Sequence, residues 1–579
     1  MKRMRPAFFL VVVLVAVAGA ATPRTDPLPQ AASGTREERL NRIFAPWDRQ
    51  DSPGVAAIVV QNGTVLYSHA VGMANLDDRV PMTPQTVFYV ASLSKQFTAA
   101  CIATLALEGR LSLDDDVRKY FPALPDYGRA ITIRHLIHHT SGLRDYFALW
   151  EIAGRSQEDY FSNGDVVRLV SKQRGLNHPV GDEHLYTNSG YVLLAEIVRR
   201  VSGQSLGQFA AARIFAPLGM RNSHFNEDLH AVVPHRAVSY QPGADGAMRL
   251  FVKNFEASGD GNLLTTVEDL ARWSRIFDGD ATNVPGLSAL LLTPGTLAGG
   301  KALDYAFGLR HSLYRGLKMI NHAGSLLGFR GVLLYFPERR CLVVCLANAS
   351  TINPGLLTRR MADVVLFDME GAETAPGAGR APAEIATADL DRLTGVYENI
   401  VATGDFIRVV RTEGRLAVHT AGPWATLTAA DARVFTSPVP AIRLEFDSSA
   451  PTPVVTMQSQ TLGRGTYSRV VPGVWAAEVM AARAGEYRSE ELESTLSIEL
   501  EGGSLRVRRS RLAPAEVEVM SPTTALAGSL KLVFPGAARG PADRVTLDSG
   551  RIKGMEFVRV GPPAPAGAQR RMARAESSR

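Results

Sequence analysis

Cysteine is scarce in this sequence, with 3 residues in a chain of 579. Cys341 and Cys345 stand four apart in a strand-like stretch, a separation too long for a disulfide along an extended backbone. Cys101 lies within an apolar stretch. The pattern excludes the disulfide framework of a small secreted domain and predicts three buried thiols.

A strong charge of one sign is also lacking. The formal net charge is +6, and no long block of like charges interrupts a composition of 46% hydrophobic and 21% charged residues. Lys2, Arg3 and Arg5 carry three of the positive charges, so the net charge without them is +6 − 3 = +3. This composition is typical of an ordinary globular protein, and no nucleic-acid partner is expected.

A run of apolar residues long enough to cross a membrane is missing as well. Residues 1–20 combine a basic start, a short apolar run from Ala7 to Val17, and small residues at Ala18 and Ala20. These features are typical of a cleavable signal peptide. An uncleaved membrane anchor is the alternative, which the short run disfavours. We expect an exported protein, periplasmic or secreted, with no stable membrane insertion after signal cleavage.

The length of the chain predicts more than one domain, because a single hydrophobic core rarely organises 579 residues. Residues 371–386 are rich in Ala, Gly and Pro and lack periodicity, which predicts a linker. The segments expected after the signal peptide are a catalytic domain over 36–370, the linker over 371–386, two β-rich repeats over 387–473 and 474–562, and a disordered tail over 563–579.

The two β-rich repeats resemble each other at a fixed offset. Tyr397 and Tyr487 lie ninety residues apart, and the closing stretches YSRV and FVRV begin at Tyr467 and Phe557, again ninety residues apart. Similarity at a constant offset predicts a tandem repeat. Apolar residues alternate with polar ones within each copy, so each copy is predicted to be a small antiparallel barrel or sandwich.

Residues 36–370 alternate between strand-like and helix-like patterns. Asn62-Gly63 separates two apolar stretches and predicts a tight hairpin turn. The segment from Ser92 to Gly109 is apolar nearly all round and ends in glycine, which predicts a buried helix with Ser92 at its start. Helical spacing continues through the middle of the chain, and strand-like text returns near Cys341, so this part is predicted to be α/β.

The first sequence motif that carries chemistry is Ser92-Leu93-Ser94-Lys95, which matches S-x-x-K. Residues three apart share a helix face, so the Lys95 ammonium can reach the Ser92 hydroxyl. A serine hydroxyl becomes a good nucleophile only when a neighbouring base takes its proton, and a buried lysine can serve as that base. Alone, the motif is weak, because it occurs by chance about once in a chain of this length.

Two further motifs follow in a fixed order. Tyr186-Thr187-Asn188 lies 91 residues after Lys95 and precedes a helix, and His322-Ala323-Gly324-Ser325 comes later. Together with FYVASLSKQFTA, ITIRHLIHHTSGL and YTNSGYVLLAEIV, these motifs resemble the serine β-lactamase and D-Ala-D-Ala carboxypeptidase superfamily in its class C-like branch, over about residues 40 to 370. The expected fold is an α/β plus all-α catalytic domain of the β-lactamase/transpeptidase kind, followed by two small antiparallel, lipocalin-like β-barrels.

This resemblance implies a catalytic role for three residues. Ser92 attacks a carbonyl, Lys95 and Tyr186 carry its proton to the leaving group, and Tyr186 later activates the deacylating water. A tyrosine ordinarily titrates near pH 10, so Tyr186 needs the positive charge of Lys95 beside it to act as a base. No cofactor and no metal are expected for this chemistry.

The resemblance also implies a set of substrate-binding groups. Asn188 is expected to position Lys95 and the substrate amide, and His322 and Gly324 belong to the third motif that lines the site. The backbone N–H groups of Ser92 and Ser325 are expected to form the oxyanion hole. The substrate is expected to be a small peptide, amide or ester, and the oligomeric state is left open.

His322 stands where the family's β-lactamases and many carboxypeptidases carry lysine. Histidine is largely neutral at pH 7, so a permanent cation is lost, unless Arg330 turns inward to replace it. An H-x-G motif with two C-terminal barrels resembles the D-aminopeptidase branch. We therefore expect a D-amino-acid-specific peptidase or aminopeptidase, with an esterase or a weak β-lactamase as alternatives.

Two functions of another class remain as rivals. A penicillin-binding covalent sensor would be acylated at Ser92 but would release its product slowly, and an inactive binding module would use its barrels to hold partners.

Two segments contain candidate metal ligands, namely His135 with His138 and His139 at helical spacing, and Asp114-Asp115-Asp116. Neither has the complementary ligands that zinc or calcium requires, so both are predicted to be structural.

Overall fold

The computed structural model describes residues 34–562, with gaps at 244, 280–281, 370–384, 401–404, 413, 420–424, 439–440, 448–451, 460–462 and 536–541. The predicted signal peptide 1–20, the tail 563–579 and all but the last two residues of the predicted linker lie outside the described residues. In the part that is described, no helix has the length and apolar character needed to span a bilayer.

Residues 34–369 mix strands and helices. The strands are β1 (Val55–Gln61), β2 (Thr64–Val71), β3 (Met73–Asn75), β4 (Val80–Pro81), β5 (Phe88–Tyr89), β6 (His224–Phe225), β7 (Tyr240–Pro242), β8 (Met248–Leu250), β9 (Leu263–Thr265), β10 (Arg310–Tyr314), β11 (Leu317–Leu326), β12 (Phe329–Phe336) and β13 (Cys341–Ala347). The α-helices are α1 (Arg36–Phe44), α2 (Lys95–Leu107), α3 (Ile133–Ile137), α4 (Tyr146–Ile152), α5 (Asn163–Ser171), α6 (Asn188–Ser202), α7 (Leu206–Ala210), α8 (Ala216–Leu218), α9 (Val267–Trp273), α10 (Leu287–Leu291) and α11 (Pro354–Phe367).

The main sheet has six strands in the order β10-β11-β12-β13-β1-β2, and all neighbours are antiparallel. The predicted hairpin between β1 and β2 is confirmed, because Asn62 and Gly63 both have positive φ, at 50° and 78°. The chain leaves this sheet after β2, builds the helical part of the domain, and returns through β10 to β13.

The two faces of the sheet pack against different layers, as the alternation of β1 shows. Ile58 and Val60 belong to the core shared with α2 and α6, whereas Ala57 and Val59 belong to the core shared with α1 and α11. Successive side chains of a strand point to opposite faces, so β1 contributes side chains to the hydrophobic core on each face of the sheet. The sheet is therefore a buried central layer between helices.

α2 crosses the centre of the helical layer. Nearly every residue of this helix is buried, and it ends at Leu107 before Gly109, which has φ of 69°. The predicted buried helix with a glycine stop is thus confirmed, with one correction at its start. Ser92 lies on a 3-10 turn, Ala91–Ser94, and the α-helix begins at Lys95.

The first C-terminal β unit follows α12 (Thr387–Arg392). Its strands are β14 (Gly395–Asn399), β15 (Phe406–Thr412), β16 (Arg415–His419), β17 (Ala425–Thr426), β18 (Thr428–Ala429), β19 (Val434–Pro438), β20 (Ala441–Asp447), β21 (Val454–Ser459) and β22 (Gly463–Val470). They form one antiparallel sheet with β17 at one edge and β18 at the other. Leu427 alone separates these two strands in the chain, so the backbone itself joins the edges of a nearly closed barrel.

The second unit follows α13 (Ala477–Arg483) and is a closed barrel. Its strands, in barrel order, are β23 (Gly485–Ser489), β24 (Ser494–Glu501), β25 (Ser504–Arg509), β26 (Ala515–Val519), β27 (Thr524–Ala527), β28 (Leu530–Val533), β29 (Arg544–Ser549) and β30 (Ile552–Gly561). The predicted fold class, a catalytic α/β plus α domain followed by two antiparallel barrels, is confirmed.

The repeat predicted from the sequence has a structural counterpart in both barrels. Tyr397 and Tyr487 are fully buried, and each hydroxyl donates a 2.8 Å hydrogen bond to a carbonyl oxygen four residues earlier, of Leu393 and of Arg483. Each tyrosine thus pins the first strand of its barrel to the helix before it. The exact boundaries expected between the domains stay predictions.

Candidate active site

The nucleophile candidate Ser92 is partly buried on the 3-10 turn Ala91–Ser94, directly before α2. Ala91 has φ of 47°, a left-handed conformation that side chains rarely adopt and that recurs at functional sites. β11 passes so close that a Cβ on Gly324 would lie 2.1 Å from the carbonyl oxygen of Val90. Glycine is required there, and its absence of a side chain lets the third motif touch the nucleophile turn.

Lys95 begins α2 and is fully buried. Its Nζ donates to Ser92 Oγ at 3.1 Å and to Asn188 Oδ1 at 2.8 Å. A third hydrogen bond of 2.7 Å goes to the carbonyl oxygen of Asp260. An ammonium has three N–H donors, so all of them have protein acceptors. The first and second sequence motifs therefore meet at this nitrogen atom.

Asp145 holds Asn188 in the orientation that faces Lys95. Oδ2 of Asp145 accepts from the backbone N of Asn188 at 2.7 Å and from its Nδ2 at 2.9 Å. Oδ1 of Asp145 caps α4 by accepting from the backbone N of Phe147 at 3.1 Å. Because Asn188 donates its Nδ2 to Asp145, its Oδ1 is directed at Lys95 and accepts from it. Sequence reasoning missed Asp145; its position just after ITIRHLIHHTSGL was the available signal.

The Tyr186 ring lies next to the charged Lys95 and the ring of His139. Lys95 Nζ is 4.9 Å from its centroid, and the centroid of the His139 ring is 4.2 Å away. His139 Nδ1 accepts from the backbone N of Thr187 at 3.2 Å. Burial, with the nearby charge of Lys95, holds the pKa of His139 well below its usual range. A neutral imidazole therefore supports the phenol ring, a role that sequence reasoning missed.

The other two histidines of this segment lie apart from Tyr186. His135 completes the capping box of α3 with Thr132, and His138 packs edge-on against Phe307. In the described ranges, no group of 3 or more His, Cys, Asp or Glu side chains is placed to hold a metal ion. The spacing of the three histidines is thus explained by packing and capping.

His322 lies on β11 and is buried. Its Nδ1 donates to the carbonyl oxygen of Ala323 at 2.7 Å, and its Nε2, which is then the acceptor, is 3.2 Å from the hydroxyl of Tyr305. Burial, reinforced by the charge of Lys95, lowers the pKa of His322 to about 3. The side chain is therefore neutral at physiological pH, and both ring nitrogens are engaged by the protein.

Ser325 is exposed on β11 opposite Arg330 of β12. β10 pairs with β11 only as far as Asn321, so Ser325 lies beyond the end of β10. The Arg330 guanidinium donates from Nη1 to the carbonyl oxygens of Leu327 and Phe329, both at 2.7 Å. Nη1 of Arg330 is thus bonded to the residue's own hairpin loop, and a role of Arg330 in place of the lysine stays a prediction.

Asp260 adds a buried carboxyl group close to the Lys95 ammonium. Its Oδ2 accepts from the hydroxyl of Tyr146 at 3.0 Å. Burial raises the pKa of Asp260 to about 6, although the positive charge of Lys95 acts in the opposite direction. Its backbone oxygen is the third acceptor of Lys95, so this segment helps to fix the ammonium.

A side chain from the second barrel reaches the same place. Arg551 lies in the turn between β29 and β30, and the central carbon of its guanidinium is 4.9 Å from the centroid of the Tyr186 ring. Its Nη1 is 3.5 Å from Oδ2 of Asp145, and its side chain is 41% exposed. Sequence reasoning missed Arg551 because nothing in the sequence places a turn of the last repeat beside the second motif.

The residues predicted from the three motifs occupy one site. Hydrogen bonds connect Ser92, Lys95 and Asn188, and the rings of Tyr186 and His322 are 6.3 Å apart between centroids. Gly324 and Ser325 follow His322 on the strand that contacts the nucleophile turn. The residues that the structure adds to this site are Asp145, His139, Tyr305, Asp260 and Arg551.

Comparison with known proteins adds information on this arrangement. A family model described as Beta-lactamase matches residues 40–366. A D-aminopeptidase of Gluconobacter oxydans is 31% identical over 300 residues, which cover 52% of this chain and 56% of that protein. A penicillin-binding protein of Bacillus subtilis is 27% identical over 406 residues, which cover 67% of this chain and 88% of that protein. The match to the D-aminopeptidase thus spans little more than half of its length.

A solved structure extends the likeness beyond the catalytic part. The octameric penicillin-binding protein homologue from Pyrococcus abyssi aligns with a TM-score of 0.53 at 24% identity, over 74% of this chain and 99% of that chain. At this level of identity the likeness concerns the fold.

Proposed function

Because the chain belongs to the beta-lactamase family, we propose that it is a serine hydrolase that cleaves amide or ester bonds through an acyl-Ser92 intermediate. One observation carries this proposal. A single buried ammonium, Lys95 Nζ, contacts Ser92 Oγ and Asn188 Oδ1 and lies 4.9 Å from the Tyr186 ring centroid. Nucleophile, cation and candidate proton carrier thus share one small volume.

In the acylation step, Ser92 Oγ attacks the substrate carbonyl carbon and loses its proton to the Lys95 and Tyr186 pair. The proton then passes to the leaving amine or alcohol as the carbon–leaving group bond breaks. Three acceptors and a closed environment hold Lys95 still, so little reorganisation is needed when charge develops. Asn188, held by Asp145, keeps the ammonium oriented toward Ser92.

We assign the oxyanion hole to the backbone N–H groups of Ser92 and Ser325. The contact between β11 and the nucleophile turn at Gly324 supports this assignment, because it brings the two backbone segments together. In deacylation, Tyr186 takes a proton from water as the water oxygen attacks the acyl carbon. The bond between that carbon and Ser92 Oγ then breaks, and Tyr186 returns the proton to Ser92 Oγ as the acid leaves. The products are the acid and the free enzyme.

The substrates proposed are small peptides or amides that contain a D-amino acid. The similarity to the D-aminopeptidase supports this class, although it spans 56% of that protein. Esters are the alternative substrates, since the same attack on a carbonyl applies to them. The neutral His322 disfavours β-lactam hydrolysis as the main activity, because this position supplies no permanent charge for a substrate carboxylate.

We also propose that the protein is exported to the periplasm or secreted. The basic, apolar and small-residue sections of residues 1–20 support a cleavable signal peptide. Amino-terminal sequencing of the protein recovered outside the cytoplasm, with a new terminus near residue 20, is the expected result. Recovery of the uncleaved chain in the membrane fraction would contradict it.

Turnover of a substrate panel tests the proposed hydrolase. The panel contains D-alanine p-nitroanilide, its L-isomer, N-acetyl-D-alanyl-D-alanine, p-nitrophenyl acetate and benzylpenicillin, each with the parent protein and with Ser92→Ala. We expect the parent to turn over at least one D-residue substrate faster than its L-counterpart, and Ser92→Ala to lose this activity. Equal rates for the two proteins would contradict the proposal.

A covalent penicillin sensor is the second candidate, and the similarity to the Bacillus subtilis penicillin-binding protein favours it. The same panel separates the two functions. A sensor gives a stable benzylpenicillin adduct on Ser92 with no turnover of any other compound, whereas a hydrolase regenerates free enzyme within the assay.

A further inference from the structure

The third-motif side of the active site offers no charge for binding an anionic group. Both ring nitrogens of His322 are engaged, by Ala323 and Tyr305, and the Arg330 guanidinium is engaged by its own loop. Lys95 donates all three of its ammonium N–H groups to protein acceptors. The groups of this side are thus engaged by the protein, and a cation with more free donors lies in another part of the molecule.

The turn between β29 and β30 is attached to the catalytic domain by hydrogen bonds between its backbone and side chains of that domain. Asn177 Nδ2 donates to the carbonyl oxygen of Arg551 at 2.8 Å, and the backbone N of Lys553 donates to Asn177 Oδ1 at 2.8 Å. Arg144 donates to the carbonyl oxygens of Lys553 and Gly554 at 3.0 and 3.1 Å. The backbone of this turn is thus held, and the Arg551 side chain starts from a defined position.

A buried ion pair strengthens the same attachment. Arg144 Nη1 lies 2.9 Å from Glu491 Oε2, and the two side chains are only 4% and 11% exposed. A buried pair with further hydrogen bonds is geometrically demanding, so it fixes the relative placement of the barrel and the catalytic domain. The second barrel is therefore part of the active-site wall.

The Arg551 guanidinium has hydrogen-bonding capacity to spare. Its contact with Asp145 Oδ2 is 3.5 Å long, and that oxygen already accepts twice from Asn188. Within the described ranges, no residue accepts a hydrogen bond from this guanidinium. With five N–H donors and a side chain that is 41% exposed, Arg551 can donate two hydrogen bonds to a carboxylate in a bidentate arrangement.

We propose that Arg551 of the second barrel is a specificity-determining residue that binds a carboxylate on the leaving-group side of the substrate. The inference rests on the proposed function, in which Tyr186 delivers a proton to the leaving group. Arg551 lies against the Tyr186 ring, so a group that it binds belongs to the departing part of the substrate. The preferred substrate is then a D-residue peptide whose leaving amino acid has a free carboxylate.

Two other cations near the cleft are less suitable. Arg310 is engaged by Asp304, with 2.6 Å between Nη1 and Oδ2. Lys553 is exposed, and its Nζ lies 3.7 Å from Glu183 Oε2, away from the ring of Tyr186. Lys553 is therefore the matched control for Arg551, because it carries the same charge on the same hairpin.

Binding to a protein that cannot turn over substrate tests the inference separately from catalysis. Calorimetry with the Ser92→Ala protein compares N-acetyl-D-alanyl-D-alanine with its C-terminal amide, which lacks the carboxylate. We expect the acid to bind more tightly. Adding Arg551→Met should weaken the acid about 10- to 100-fold, the range for a charge-assisted hydrogen-bonded pair, and leave the amide within about 2-fold. Arg551→Lys should restore part of the difference.

The control Lys553→Met should leave the acid-to-amide ratio unchanged. Equal weakening of both ligands by Arg551→Met, equal binding of the two by the Ser92→Ala protein, or no binding of either would overturn the role of Arg551. A different result would show that the proposed function is wrong while Arg551 still binds the carboxylate. In that case the Ser92→Ala protein prefers the acid, and the parent protein hydrolyses neither ligand.

Discussion

The nucleophile region and the docked turn of the second barrel each bring a cation to Tyr186, in opposite ways. Lys95 is fully buried and donates to three protein acceptors. Arg551 is 41% exposed, and its Nη1 lies 3.5 Å from Asp145 Oδ2. The first arrangement fixes a charge for proton transfer. The second leaves a charge available to a ligand.

The two regions also differ in how their position is determined. The nucleophile region is local, since Ser92 and Lys95 are three residues apart on consecutive helical turns. The barrel turn reaches the site across more than three hundred residues of chain and depends on Arg144, Glu491 and Asn177 for its attachment. The spacing of Ser92 and Lys95 is thus determined by secondary structure, and the placement of Arg551 by docking between domains.

The strongest way to break the comparison is to remove Lys95. Lys95→Met leaves Asn188 Oδ1 and the Asp260 carbonyl without their donor and removes the cation next to Ser92. We expect kcat to fall by about 10³- to 10⁴-fold, toward the upper end for groups that move protons. Steady-state kinetics of a D-residue substrate measures this. Lys318→Met, which changes an exposed lysine on β11, is the control, and a comparable loss there would contradict the assignment.

The second largest effect is expected from removing the Tyr186 hydroxyl, which is proposed to carry the proton. Tyr186→Phe keeps the ring that contacts His139, Lys95 and Arg551 but deletes the proton carrier. We expect kcat to fall about 10²- to 10³-fold with little change in melting temperature. Tyr160→Phe removes an exposed hydroxyl bonded to Glu256 and should have no effect on kcat. A Tyr186→Phe rate within 2-fold of the parent's would assign proton transfer elsewhere.

The docking side of the comparison is tested through Arg144. Arg144→Met leaves Glu491 as a buried charge without its partner, which is expected to cost about 3 to 5 kcal/mol of unfolding free energy. Urea unfolding measures this, and a double-mutant cycle with Glu491→Gln isolates the pair. The acid-to-amide preference should fall in parallel, because the turn that carries Arg551 loses three of its hydrogen bonds. Additive effects of the two variants would contradict a direct coupling.

The smallest effect concerns pH and a buried histidine outside the proposed machinery. Burial lowers the pKa of His138 to about 4, whereas an unfolded histidine titrates near 6.5. Between these values the unfolded chain binds more protons, so the free energy of unfolding falls as the pH falls from 6.5 toward 4. His138→Gln should flatten this slope by at most about 1.4 kcal/mol per pH unit, measured by urea unfolding at pH 5 and pH 7. His230→Gln, whose parent side chain is 95% exposed, should leave the slope unchanged.

Local patterns carried much of the prediction. The Asn62-Gly63 hairpin, the buried helix that ends before Gly109 and the two antiparallel barrels follow from turn chemistry, apolar periodicity and a ninety-residue repeat. The motif order further predicted that Ser92, Lys95 and Asn188 meet, and their hydrogen bonds join them. Turn chemistry and periodicity are short-range, so a sequence displays them. The meeting of Lys95 with Asn188, 93 residues apart, was instead implied by the family resemblance.

Features that depend on tertiary contacts were beyond this kind of reasoning. The neutral state of His322 follows from its burial and from the hydroxyl of Tyr305, which no local pattern reveals. The approach of Arg551 depends on how the second barrel packs against Arg144 and Asn177. Each depends on neighbours distant in the chain.

Acylation of Ser92 is the most direct measurement. The parent protein is mixed with D-alanine p-nitroanilide or N-acetyl-D-alanyl-D-alanine, quenched in acid within milliseconds to seconds, and analysed by intact mass and peptide mapping. We predict a transient added acyl mass on the peptide that contains Ser92, absent in Ser92→Ala and retained in Ser94→Ala. Product formation without any acyl mass at Ser92, or an adduct that persists in Ser92→Ala, would contradict the proposed mechanism.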